Sequence, residues 1–166
     1  GYYIMVVVVS VLTAAHFKNQ RTSEDFIKTL YFVLKLVVVH AFINVLMYGL
    51  VKNNLVTIIN PFNSSEWQTF GNIFFYSSSE KKLALITVLN FDFYRNQGLF
   101  WEAGVLQVFL NIFLFLELFI VKKNKLWVFL AIFTILTTYS TTGITILLIQ
   151  IAYYIKYELK NSKILI

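Results

Sequence analysis

No Asp, Glu, Lys or Arg occurs in the thirty residues from Leu126 to Ile155. As one helix this stretch would be about 45 Å long at the usual rise of about 1.5 Å per residue. The hydrocarbon core of a bilayer is only about 30 Å thick, so the stretch must tilt strongly or break. Its middle reads Thr137-Thr138-Tyr139-Ser140-Thr141-Thr142-Gly143. Hydroxyl side chains compete for backbone hydrogen bonds, and glycine lowers helix propensity. The pattern therefore predicts a bend near Ser140–Gly143, with two helices over about 126–139 and 143–157.

Three further apolar blocks precede it, at Tyr2–Phe17, Thr29–Val51 and Leu99–Val121. Hydrophobic residues make up 58% of the chain and charged residues 13%, against about 25% charged in ordinary soluble domains. That balance excludes a soluble fold. The expectation is an all-α fold class, a polytopic transmembrane helix bundle. Residues 1–166 form a single membrane domain, itself a fragment of a larger one, with about five spans at 2–17, 29–51, 99–121, 126–139 and 143–157. Tyr2–Ala15 has the length of a signal-peptide core, but no basic segment precedes it, and it is read as a span.

Charge sets the expected orientation. The net charge of +6 would suggest nucleic acid in a soluble protein. Here the basic residues cluster between spans, at Lys18, Arg21 and Lys28, at Lys122, Lys123 and Lys125, and at Lys156, Lys160 and Lys163. Three cytoplasmic clusters satisfy the positive-inside rule, require five crossings and imply no nucleic-acid partner. Residues 52–97 then form an external loop. Within it, Phe70–Tyr76 and Ala84–Phe91 flank a polar run from Ser77 to Lys82 and predict a short β-hairpin capping the bundle; an interfacial helix over 81–91 is the alternative. Trp101, Trp127, Tyr153, Tyr154 and Tyr157 fit interfacial aromatic belts.

Polar residues inside the spans are few. His40, Asn44 and Tyr48 share one helix face. His40 is a candidate substrate contact because ionisable groups in spans are functional by default, with an interhelical hydrogen bond as the plainer reading. Lys35 is expected to snorkel, and Glu117 to meet Lys122 or Lys123. Gly104, Gln107 and Asn111 line one face, as do Thr134, Thr138, Thr141 and Thr145, in keeping with close helix packing. Two histidines and no cysteine leave no zinc ligand set, and no phosphate loop or nucleophile elbow is present.

The segment Asn90–Gln107, NFDFYRNQGLFWEAGVLQ, carries the strongest chemical signal. Arg95 stands where an outer loop enters a helix. A guanidinium there can hold an oxyanion together with free backbone N–H groups. Glu102, one turn further on, could accept a proton from a sugar hydroxyl or orient Arg95. The plainer reading is an Arg95–Glu102 pair or an Arg95–lipid-phosphate anchor.

The run from Arg95 to Gly104, followed by Leu110-Asn111, resembles the R-x-x-G-x-F-W-E-P-G segment of the O-antigen ligase/polymerase superfamily. Thr138-Tyr139-Ser140-Thr141-Thr142-Gly143 is similar to that family's later T-x-S-[RT]-[TG]-G bend. The resemblance covers residues 85–157. Ala103 replaces the family's proline, and Thr141 stands where many ligases carry arginine. The resemblance implies a multi-pass glycosyltransferase of the bacterial inner membrane, with more spans than this chain holds. It would move a glycan from an undecaprenyl-pyrophosphate-linked oligosaccharide to an acceptor. On that reading Arg95 and Glu102 are the catalytic pair, and Gly98, Trp101, Ser140, Thr141, Thr142 and His40 contact substrate. Membrane lipids and a chain-length regulator protein are the further partners, and neither cofactor nor metal is expected. A flippase of lipid-linked glycans and a non-catalytic membrane scaffold are the competing classes.

Overall fold

The computed structural model describes residues 20–59, 66–76, 85–88, 91–100, 102–121 and 124–162. The span expected at 2–17 lies outside them. The chain divides into two units, Gly1–Leu34 and Lys35–Ile166.

Helix α1, Gln20–Val51, begins in the first unit and ends in the second. It starts upstream of the expected Thr29 and takes in the polar lead-in. There Lys28 pairs with Asp25 at 3.5 Å and the Thr29 hydroxyl donates to the Asp25 carbonyl at 2.9 Å. The helix gives way to one 3-10 turn at Lys52–Asn54, after which Leu55 is extended.

The described parts of the loop that follows are mostly strand. β1 (Val56–Ile59), β2 (Glu66–Phe70) and β3 (Phe74–Tyr76) form an antiparallel sheet in sequence order. β4 (Leu85–Val88) pairs antiparallel with β5 (Phe91–Tyr94). The expected hairpin between 70–76 and 84–91 is therefore replaced by two local pairings, and residues 85–88 are strand rather than interfacial helix. The cause lies at Gly71 and Asn72, with φ of 62° and 55°. Two consecutive left-handed residues make the tight turn whose twist suits a hairpin, and Ile73 N–H donates to Phe70 C=O across it at 3.3 Å. The shorter loop costs less entropy to close, so the nearer partner wins. The fold class is thus mostly helical with two small sheets, rather than purely α.

Three helices complete the second unit. α2 (Ala103–Phe115) runs on as a π-helical segment, Leu116–Val121. α3 is Lys125–Thr137 and α4 is Thr141–Ser162. α2 packs on both others, and α3 and α4 touch each other. Leu106, Leu110, Phe113 and Leu114 of α2 are fully buried, with Ala131 and Ile135 of α3 and Leu147 of α4. The α2 spacing is that of one helical face. Asn124 caps α3 by accepting from Leu126 N–H at 2.9 Å. The buried Glu117 carboxylate accepts the Asn124 N–H at 2.7 Å; its expected partners Lys122 and Lys123 lie outside the described residues. Lys35 lies over the Trp127 ring at 4.6 Å.

Among the described residues, two helical segments are long and apolar enough to cross a membrane, Ser23–Val51 and Ala103–Val121, and Lys125–Thr137 is a shorter apolar helix. All four helices expose large apolar side chains, such as Leu46 and Leu50 on α1, Val108 and Phe115 on α2, Leu126 and Phe129 on α3, and Leu148 and Ile149 on α4.

Candidate functional site

The bend between α3 and α4 forms from its own hydroxyls. Thr134 donates to Leu130 C=O at 2.8 Å, Thr137 to Thr134 C=O at 2.7 Å and Thr138 to Ile135 C=O at 2.7 Å. Tyr139 then turns left-handed, with φ of 48°. Ser140 opens the next helix by accepting Gly143 N–H on its hydroxyl at 3.3 Å and Ile144 N–H on its carbonyl at 2.9 Å. The break thus falls at 138–140, at the start of the predicted bend.

A helix end leaves its last carbonyls without intrahelical partners. The segment 95–98 supplies them to α3. Asn96 N–H donates to Thr137 C=O at 2.9 Å, and Arg95 Nε donates to Thr138 C=O at 3.1 Å. A cation also suits the negative end of a helix. Arg95 is half-buried. Among the described residues its two Nη groups have no protein partner.

Asn96 is the hub. Its Nδ2 donates to Ala41 C=O of α1 at 2.9 Å and to the Thr137 hydroxyl at 3.1 Å. Its Oδ1 accepts from Asn44 Nδ2 at 3.0 Å and from Gly98 N–H at 3.1 Å. Tyr76 bridges Asn96 from β3 and donates its hydroxyl to Asn44 C=O at 3.1 Å. Burial, and then the nearby Tyr48, push the Tyr76 hydroxyl up to about 12.

His40 lies beside this hub. Its Nε2 donates to Ile73 C=O at 3.0 Å. The ring stacks on Phe74 with centroids 5.5 Å apart. Gly98 is buried with φ of 57°, and a Cβ there would stand 3.3 Å from Leu106 Cδ1 and 3.9 Å from His40 Nδ1. Only glycine suits both the backbone angle and the space. The Phe100 ring stacks on Phe109 at 4.7 Å and ties this turn to α2.

Of the residues picked from the sequence, the structure gathers Arg95, Gly98 and His40 around Asn96. Ser140 is buried in its capping role, whereas Thr141 and Thr142 are exposed in the first turn of α4. Glu102 is exposed at the N-cap position of α2, makes no side-chain cap and forms no ion pair with Arg95. Trp101 lies outside the described residues. Asn96, Gln97, Tyr76 and Thr137 were not foreseen as site residues. Apart from Gly98, the partners of Asn96 are backbone and side-chain groups of Ala41, Asn44 and Thr137, all distant in sequence, which no local pattern encodes.

Three buried side-chain atoms around the hub lack a hydrogen-bond partner, His40 Nδ1, Asn44 Oδ1 and Gln97 Nε2. Such atoms are costly, about 1–3 kcal/mol each. A second polar seam joins α2 to α4, where Asn111 Nδ2 donates to Gln107 Oε1 at 3.1 Å and Gln150 Nε2 donates to Asn111 C=O at 3.2 Å. Among the described residues no group of three His, Cys, Asp or Glu side chains could hold a metal ion. No family model, curated protein or solved structure matches this chain.

Proposed function

We propose that this chain is part of a multi-pass enzyme of the bacterial inner membrane. It transfers a glycan from an undecaprenyl-pyrophosphate carrier to an acceptor glycan, as a polymerase or ligase of the O-antigen type. One observation carries the reading. Arg95 is fixed through Nε to the carbonyl of Thr138, three residues before α4 begins at Thr141, and its two Nη groups have no protein partner among the described residues. An arginine so held offers its Nη pair as a two-pronged grip for phosphate oxygens. The first-turn N–H groups of α4, at Thr141 and Thr142, lack intrahelical partners and add the positive end of a helix. The order of the two resembling motifs supports the same reading, as do the apolar surfaces on all four helices, which suit lipid rather than water.

In this reaction the acceptor hydroxyl oxygen attacks the anomeric carbon while the bond from that carbon to the phosphate oxygen breaks. Charge develops on the lipid pyrophosphate, and Arg95 stabilises it. The hydroxyl proton passes to the exposed Glu102 carboxylate. Five crossings, with 52–97 outside, keep the three basic clusters cytoplasmic.

The test is the banding pattern of surface polysaccharide in a strain lacking the native gene, with membrane abundance measured in parallel. Arg95→Ala is expected to nearly abolish polymer. Arg95→Lys is expected to restore only part, because lysine keeps charge but loses the planar fork. Full activity in Arg95→Ala removes the residue from the mechanism, and full activity in Arg95→Lys makes it a lipid anchor. The broken helix at Tyr139–Ser140 favours one second reading, a flippase, since such breaks line transporter sites. Purified protein given lipid-linked repeat units separates the two, because only a polymerase lengthens the glycan.

A further inference from the structure

We infer that Asn96 is the positioning residue for Arg95, an assignment that rests on the anion-binding role proposed for Arg95. Asn96 is 3% exposed, so it does not meet substrate itself. An asparagine side chain offers two donor hydrogens and two acceptor lone pairs. All four are used, toward Ala41 and Thr137 on one side and Asn44 and Gly98 on the other. Its backbone N–H takes the Thr137 carbonyl, one residue before the carbonyl that Arg95 takes. The consecutive residues Arg95 and Asn96 thus meet the consecutive residues Thr138 and Thr137 as two rungs of one short ladder. Asn96 sets the distance between loop and helix end, and Arg95 Nε then closes on Thr138. That closure fixes the guanidinium plane and leaves the Nη pair for the ligand. A small error in this placement is costly, because a bidentate grip needs both oxygens in reach together.

The probe is inorganic pyrophosphate, which reproduces the charged part of the leaving group, titrated into the purified full-length protein. Arg95→Ala is expected to weaken binding about tenfold, the scale of one charge-assisted hydrogen bond. Asn96→Ala is expected to weaken it to a similar degree. In the Arg95→Ala background, Asn96→Ala is then expected to add nothing, since the group it positions is gone. A merely structural Asn96 would instead give additive losses, and that outcome overturns the inference. Thr137→Val removes one acceptor of Asn96 while keeping the backbone rung, and is expected to give a smaller loss that also vanishes in the Arg95→Ala background. Should Asn96→Ala fail to reach the membrane, the Thr137→Val comparison decides on the same criterion. Wild-type affinity in both Asn96→Ala and Thr137→Val, beside weakened Arg95→Ala, overturns the positioning role alone. Wild-type affinity in Arg95→Ala overturns the anion-binding reading, and with it the positioning role.

Discussion

A methyl group added at Gly143 would stand 2.9 Å from Gln107 Cβ and 2.9 Å from its Oε1. Both helices would have to part, and the Asn111 Nδ2 bond to Gly143 C=O, already 3.4 Å long, would break. Gly143→Ala is expected to cost about 1–3 kcal/mol, as overpacking does, and a lowered thermal midpoint of the purified protein is the measurement. Tyr76 gives a pH test at the same scale. Its hydroxyl is raised by burial from 10.0 to about 12. A raised folded value means that its contribution to stability is complete below pH 10 and is lost as pH climbs through about 12. Tyrosinate absorbance is expected to show a late-ionising tyrosine that Tyr76→Phe removes. The same substitution deletes the bond to Asn44 C=O, a loss of about 1 kcal/mol.

Ser140 acts at the scale of the element. It is the N-cap of α4, and Ser140→Ala is expected to cost about 1 kcal/mol, most of it recovered by Ser140→Asp, as thermal unfolding of the two variants would report. The break it anchors was legible in the sequence, because a cluster of hydroxyls ahead of a glycine within an overlong apolar run leaves few alternatives. The helix edges were not: α1 reaches back to Gln20 and α2 begins at Ala103 rather than Leu99. The strand pairing was also missed. Phe70–Tyr76 reads as one continuous apolar run, yet Gly71-Asn72 folds it into a turn between two strands. At the site, Arg95, Gly98 and His40 stood out by type and spacing. Asn96 did not, since its partners on Ala41, Asn44 and Thr137 are brought to it only by the fold. Arg95 itself stood out for the wrong helix end: its partner is the C-terminus of α3 rather than the start of α2.

The topology belongs to the whole molecule. With no cysteine in the chain, single cysteines report sidedness cleanly. Lys160→Cys is expected to resist an impermeant thiol reagent applied from outside, and a cysteine in the 52–97 loop to react. Outside labelling at 160 would sink the five-crossing arrangement. Glu102→Gln is expected to lower polymer formation about tenfold, or about 1.4 kcal/mol in barrier terms, with normal membrane abundance; unchanged chain synthesis would take Glu102 out of the reaction. The cap on α3 has a consequence for how such a chain is made. Residues 95–98 leave the ribosome before α3 and α4 are translated, so the groups that will receive the Thr137 and Thr138 carbonyls are present before those carbonyls exist. A buried carbonyl left unpaired costs about 1–3 kcal/mol. A chain whose loop is made first never has to hold a finished α3 with an open end, whereas a circular permutant that moves residues 95–98 behind α4 would have to do so while it is being made.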